Sequence, residues 1–109
     1  MSKYMLLYRG PATPMANMSE AQGKAQMQAW DTWMGRCGPA LTDVGMPFGD
    51  CSAVGDDGKI QKTDDLHGYS IVEADDLASA TAMTQQHPFL SEGKGRFSVE
   101  VFELLPVPM

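Results

Sequence analysis

The chain has 109 residues, of which 43% are hydrophobic and 20% are charged. This length fits one domain over residues 1–109, and the composition is typical of a globular chain rather than a disordered one. Eight basic against 14 acidic residues give a formal net charge of −6. Because nucleic acids and anionic membrane surfaces bind clustered cationic side chains, we expect neither as a partner.

The N-terminal segment predicts a cytoplasmic protein. Its apolar run, Tyr4 to Tyr8, is about five residues long, whereas a signal peptide needs roughly 7–15 and a membrane-spanning helix about 20. Cys37 and Cys51 match no zinc-ligand spacing. We therefore expect free thiols, with a disulfide as the less favoured alternative, and neither a metal nor another cofactor.

The first predicted element is a strand over Lys3–Tyr8. Tyr4, Leu6 and Tyr8 alternate with Met5 and Leu7, so both faces of the strand are apolar. This pattern is typical of a central strand that is covered on each side.

A long helix is predicted next. Ser19 and Gln22 form a capping-box pattern. Gly38-Pro39 predicts either a kink or a first helix that ends near Arg36, followed by a short helix from Pro39 to Val44. Trp30 lies on the apolar stripe and Trp33 outside it. The stripe comprises Met27, Trp30, Met34, Cys37, Leu41 and Val44.

A weak strand over Phe48–Val54, a turn at Gly55–Gly58 and a return arm over Lys59–Thr63 predict a hairpin. A clearer strand follows over His67–Ala74. Beyond it, Asp75 is the expected cap of a helix over Asp76–Gln86 that buries Leu77, Ala80 and Met83. Pro88 ends this helix, and Arg96–Leu105 is the last predicted strand.

This order predicts an α+β fold, a ferredoxin-like split βαβ sandwich with an extra hairpin. Both helices would cover one face of an antiparallel sheet and leave the other face bare. Because a bare apolar face of several hundred Å² is a partner-binding surface, we expect a homodimer whose sheets pack face to face.

Four segments together resemble the YCII-related family. The resemblance implies a dimeric α+β barrel, with a histidine–carboxylate pair in some relatives. Here Lys62–His67 stands where a large branch has Asp-Gly-Pro-Phe, the long helix has no histidine, and His87 precedes Pro88, so that pair does not carry over. The segments are Lys3–Tyr8, Gly68–Asp75, His87–Leu90 and Val99–Leu104.

A pocket between the first helix and the sheet is the expected site. The candidate catalytic residues are His87, whose alternative role is capping the helix C-terminus, and Asp43, whose alternative is a solvated loop charge. Arg9 and His67 are candidate ligand contacts, with a surface ion pair and a surface histidine as their alternatives. The full set of candidate ligand-binding residues is Tyr8, Arg9, Trp33, His67 and Tyr69.

The preferred function is a dimer that binds or transforms a small organic molecule in this pocket. One alternative is a non-catalytic dimerisation or accessory module. The other is a cofactor-free oxygenase, which rests on fold analogy alone. Polar residues that converge on a closed pocket would favour the first function, and polar residues that all face solvent would favour the second.

Overall fold

A computed structural model describes residues 1–11, 18–90 and 93–108. The fold is mixed α+β, with a four-stranded antiparallel sheet and two helices. Single turns of 3₁₀ helix lie at Gly38–Ala40 and Pro88–Leu90. The main elements in chain order are β1 (Ser2–Arg9), α1 (Glu20–Cys37), β2 (Leu41–Asp43), β3 (Ala53–Val54), β4 (Ile60–Gln61), β5 (Leu66–Ala74), α2 (Leu77–Ala82) and β6 (Ser98–Leu104).

The four-stranded sheet has the order β2-β5-β1-β6, so β1 is a central strand as predicted. Strands β3 and β4 form a separate hairpin. Its turn lies at the predicted position, where the Gly55 N–H donates to the Lys59 carbonyl at 2.8 Å.

The alternation in β1 determines which side chains form the core. Tyr4, Leu6 and Tyr8 are buried on the face that the helices cover. From β5, Val72 is fully buried on the same face. The core therefore lies between the two helices and one face of the sheet.

The other face of the sheet is uncovered in a single chain and has an apolar central row, whereas Lys3, Glu73 and Glu100 lie in its outer rows. Cross-strand partners point to the same face of a sheet, and Met5 pairs with Ile71 on one side and Phe102 on the other. Leu7 lies in the next row, beside Tyr69. Phe102 is 50% exposed. We call this surface, formed by Met5, Leu7, Ile71, Phe102 and Leu104, the open sheet face; Tyr69, which pairs with Leu7, also borders the cavity described below.

The predicted start of α1 is confirmed. The Gln22 N–H donates to Ser19 Oγ at 3.1 Å, and the Ser19 N–H donates to Gln22 Oε1 at 3.0 Å. The helix ends at Cys37, and Gly38 has a φ of +57°.

The predicted short helix from Pro39 to Val44 is wrong. After one 3₁₀ turn the chain enters β2, where Leu41 pairs with Val72 at the edge of the sheet. Tertiary contacts decide this conformation, because pairing with β5 gives the backbone N–H and C=O groups of β2 the hydrogen-bond partners that a second helix would otherwise provide.

The two tryptophans of α1 have exchanged their predicted positions. Trp33 is 1% exposed and its indole N–H donates to the Met83 carbonyl at 2.9 Å, whereas Trp30 is only partly buried. Met27, predicted on the buried stripe, is 61% exposed. The Met83 carbonyl at the end of α2 lies within reach of the Trp33 indole. The buried side of α1 therefore includes Trp33.

Three further expectations are corrected. Of the weak strand over Phe48–Val54, only β3 forms, because the Phe48 N–H instead donates to the carbonyl of His67 at 2.8 Å. The cap of α2 is Asp76 rather than Asp75, since its Oδ1 accepts the Ser79 N–H at 2.7 Å. That helix ends at Ala82, well before Gln86, and leaves Leu77 53% exposed.

We expect Trp33→Phe to lower the free energy of unfolding by about 2–4 kcal/mol. The substitution leaves the partly buried Met83 carbonyl without its donor and opens a cavity beside it. The exposed Met27→Ala variant is the control and should change the value by less than about 0.5 kcal/mol. Urea denaturation measures both, and equal effects would contradict the position of Trp33 in the core.

Candidate functional site

A cavity of about 380 Å³ lies between α1, the loop that follows β2 and the start of β5. This volume is in the range of small-molecule sites. No described residue of its wall carries a formal charge, and most of the wall is apolar. The described lining residues are Tyr8, Met18, Gln26, Trp30, Met34, Val44, Gly45, Met46, Pro47, His67, Gly68, Tyr69 and Phe89.

Three aromatic rings build one side of the cavity. The Tyr8 ring lies 5.5 Å from Trp30 in an edge-to-face arrangement and 5.4 Å from Phe89 in a tilted one. Both distances are typical of favourable aromatic pairs. Methionines from α1 and the loop complete an adaptable apolar surface.

Two glycines hold the loop wall against β5. Gly45 has a φ of +78°, and a Cβ atom there would overlap the carbonyl of Tyr69. Gly68 faces the backbone of Met46, where a Cβ atom would be only 2.9 Å from the carbonyl oxygen. The backbone of the loop therefore approaches the strand closely, and this approach narrows the cavity.

His67 is placed by a β-bulge. Tyr8 pairs with Gly68 and Arg9 pairs with Leu66, so His67 is an extra residue without a partner in β1. Bulges commonly re-aim side chains next to functional sites. The imidazole lines the cavity, with its centroid 6.3 Å from the Phe89 ring. Its Nε2 atom is buried and has no hydrogen-bond partner among the described residues.

His87 lies beneath the cavity wall and is only 1% exposed. Its ring centroid is 4.3 Å from that of Trp33, 4.8 Å from that of Trp30 and 4.9 Å from that of Tyr8. It follows the turn after α2 and is part of the core. The alternative of a histidine that caps the helix end is therefore wrong, because both ring nitrogens have other partners.

The hydrogen bonds of His87 have one consistent direction. The Phe89 N–H donates to Nδ1 at 3.0 Å, so the proton of the neutral ring is on Nε2, 3.2 Å from the Tyr8 hydroxyl. The Ser70 hydroxyl donates to the Val44 carbonyl at 2.7 Å. Ser70 Oγ must then accept from Tyr8, whose hydroxyl lies 2.5 Å away. We call this series of bonds the His87–Val44 chain.

Burial keeps both titratable members of this chain neutral. It lowers the pKa of His87 to about 4, with a further contribution from the positive charge of Arg36. It also raises the pKa of Tyr8 to about 12, against the opposing effect of the Ser70 hydrogen bond. A helix C-terminus favours an imidazolium, but at His87 the desolvation outweighs this effect of the helix dipole.

The two candidate catalytic residues are not joined. Asp43 is exposed, and its Oδ1 accepts the Gly45 N–H at 2.8 Å in a local turn. The hydrogen bonds of the His87 ring go to Tyr8 and Phe89. The arrangement therefore offers no histidine–carboxylate pair between these two residues.

The other candidates divide between the cavity and its surroundings. Tyr8, His67 and Tyr69 line the cavity. Trp33 is absent from its described wall and lies in the core. The Arg9 guanidinium binds Glu100 at 3.2 Å and Asp64 at 3.3 Å, which is the predicted alternative of an ion pair. These carboxylates raise the pKa of Arg9.

Several cavity residues were not identified from the sequence as ligand contacts. Phe89 belongs to a segment used only for the family resemblance, and Trp30 was assigned to the core. Of the loop wall, Val44 was predicted at the end of a short helix, and no element was predicted over residues 45–47. Only the pairing of β2 with β5, which brings this loop over the start of β5, could have revealed it.

Three further properties concern the described residues. These residues contain no group of three or more histidine, cysteine or acidic residues placed to hold a metal ion. Both cysteines are free thiols, Cys37 partly buried and Cys51 exposed. Among the helices of residues 1–11, 18–90 and 93–108, none has the length and hydropathy that a membrane span requires.

We expect the free energy of unfolding to fall as the pH falls from about 6.5 to about 4. In that interval the unfolded chain binds a proton at this histidine while the folded chain keeps His87 neutral. The loss should approach about 3 kcal/mol. Urea denaturation across this pH range measures it.

The variant His87→Gln should flatten this pH dependence, whereas the matched variant His67→Gln should retain it. An unchanged slope in His87→Gln would show that other groups cause the effect.

Comparison with known proteins finds no matching family model, no matching curated protein and no matching solved structure. The resemblance to the YCII-related family therefore stays a prediction from the four sequence segments.

Proposed function

We propose that this protein binds a small organic molecule in the cavity between α1 and the sheet. The observation that carries the proposal is the buried Nε2 of His67, which has no partner in the described part of the chain, in a wall that is otherwise mostly apolar. A buried polar atom without a partner costs about 1–3 kcal/mol. A ligand that supplies the missing partner would recover that cost.

Binding is better supported than catalysis. The neutral His87 and Tyr8, whose pKa lies near 12, are bonded within the protein at neutral pH. Asp43 is exposed and bonded to its own turn. Their hydrogen bonds fix the wall of the cavity, and neither His87 nor Asp43 lines it.

We expect N-phenyl-1-naphthylamine, an uncharged dye whose fluorescence rises in apolar sites, to bind saturably with one molecule per chain. Gln26→Trp should fill the cavity and weaken binding about tenfold or more, because Gln26 lines it. Gln28→Trp is the matched control, since Gln28 is exposed on the same helix and absent from the wall. Fluorescence titration measures all three proteins.

Equal affinities of the two tryptophan variants would place the dye outside the cavity. Absence of saturable binding would contradict the proposed function.

We also propose that the chain has a ferredoxin-like protomer and forms a homodimer through the open sheet face. The order β2-β5-β1-β6 with β-α-β-β-α-β connectivity supports the protomer fold. The accessible surface of 7848 Å² supports the dimer, because a compact chain of this size exposes roughly 5,900 Å². The difference exceeds the roughly 800 Å² that each partner buries in a standard interface.

The same surface is what a non-catalytic dimerisation module would use. The two functions differ in the cavity, since a dimerisation module needs no ligand there. The dye titration therefore separates them, while the dimer itself is common to both.

We expect light scattering to give twice the mass of one chain at micromolar concentration. Phe102→Asp should produce a monomer, because it places a charge beside Met5 in the apolar row of the open sheet face. Leu77→Asp is the control, since Leu77 is similarly exposed but lies on α2. A monomeric wild-type protein would contradict the proposed interface.

A further inference from the structure

The wall of the cavity selects against charged ligands. None of its described side chains carries a formal charge, and the whole chain has a net charge of −6. A buried ion needs a paired opposite charge, which this wall does not supply. The ion pairs of Arg9 are made with Glu100 and Asp64, outside the described wall.

The shape of the wall favours a flat ring. Tyr8, Trp30 and Phe89 form one side of the cavity. The ring centroids of Trp30 and Phe89 lie 5.5 Å and 5.4 Å from that of Tyr8. Aromatic pairs gain energy beyond the burial of area. A cavity of about 150 Å³ already holds benzene, so about 380 Å³ has room for a bicyclic molecule.

The polar groups of the wall define where a ligand can form a hydrogen bond. The Tyr8 hydroxyl accepts from His87 and donates to Ser70, so its proton is not available. His67 Nε2 is buried and unpartnered. This atom donates or accepts according to the tautomer, and a hydroxyl group can pair with it in either case.

We propose that the cavity takes an uncharged aromatic molecule that carries a hydroxyl group, with the hydroxyl hydrogen-bonded to Nε2 of His67. This inference rests on the proposed function and specifies its ligand class. The β-bulge that turns His67 towards Phe89 is then a device for ligand selection.

The test compares four related probes by calorimetry near neutral pH. The first is 2-naphthol, which is uncharged, aromatic and hydroxylated. Naphthalene lacks the hydroxyl, 2-naphthoate carries a charge, and decahydro-2-naphthol lacks the aromatic rings. We expect 2-naphthol to bind about tenfold more tightly than each of the others.

Variants assign the preference to one atom. His67→Phe keeps a ring of similar size and should reduce the affinity for 2-naphthol about tenfold while leaving that for naphthalene within about twofold. Gln28→Leu changes an exposed residue of α1 outside the described wall and should preserve the preference for 2-naphthol. The thermal midpoint of each variant checks that it is folded, and the wild-type comparison of probes stands even where a variant is not.

Each contrary result overturns a part of the inference. If naphthalene binds as tightly as 2-naphthol, the ligand does not need a hydroxyl group. If 2-naphthoate binds as tightly, the ligand does not need to be uncharged. If decahydro-2-naphthol binds as tightly, the ligand does not need an aromatic ring. If no probe binds while N-phenyl-1-naphthylamine does, the ligand class is wrong and the proposed function stands. If that dye also fails to bind, both are wrong.

Discussion

The hydrogen bonds of the buried His87 hold together the parts of the fold that surround the cavity. The ring lies below α1, accepts from the backbone of Phe89 and donates to Tyr8 of the central strand. Tyr8 continues to Ser70 of β5, and Ser70 to the carbonyl of Val44 in the loop wall. Each polar side-chain atom of the His87–Val44 chain has a hydrogen-bond partner, so this series of bonds avoids the cost of unpaired groups. It also fixes four segments of the protein relative to one another.

The two histidines have opposite roles because their surroundings differ. His87 has aromatic neighbours and a partner for each nitrogen, so it is a neutral structural group. His67 is carried by a bulge, and its buried Nε2 has no partner. The packing and hydrogen bonds of His87 hold the cavity wall in place. His67 is then the polar group of this wall to which a ligand can hydrogen-bond. A residue kept in a costly environment by a well-packed surround is a common feature of binding sites.

Alternation along the strands and the capping pattern at Ser19 were enough to predict β1, β5, β6 and the start of α1, because both depend on neighbouring residues. Three of the errors arise where a distant segment decides. Trp33 is buried because its indole reaches the Met83 carbonyl, and Leu41 is in a strand because β5 offers pairing. His87 is neutral because tertiary packing removes it from water. From the sequence, Tyr8, His67 and Tyr69 could be predicted at the cavity, but the bulge that orients His67 could not.

Strand β5 connects the cavity with the open sheet face. Gly68 and Ser70 lie towards the helices, whereas Ile71 pairs with Met5 on the uncovered side. Since successive residues of a strand point to opposite faces, a slip of one residue in its pairing would exchange the two sets. The close approach of Gly68 to Met46 opposes such a slip, because any side chain placed there would collide with the loop. One register therefore determines both the shape of the cavity and the apolar character of the open face.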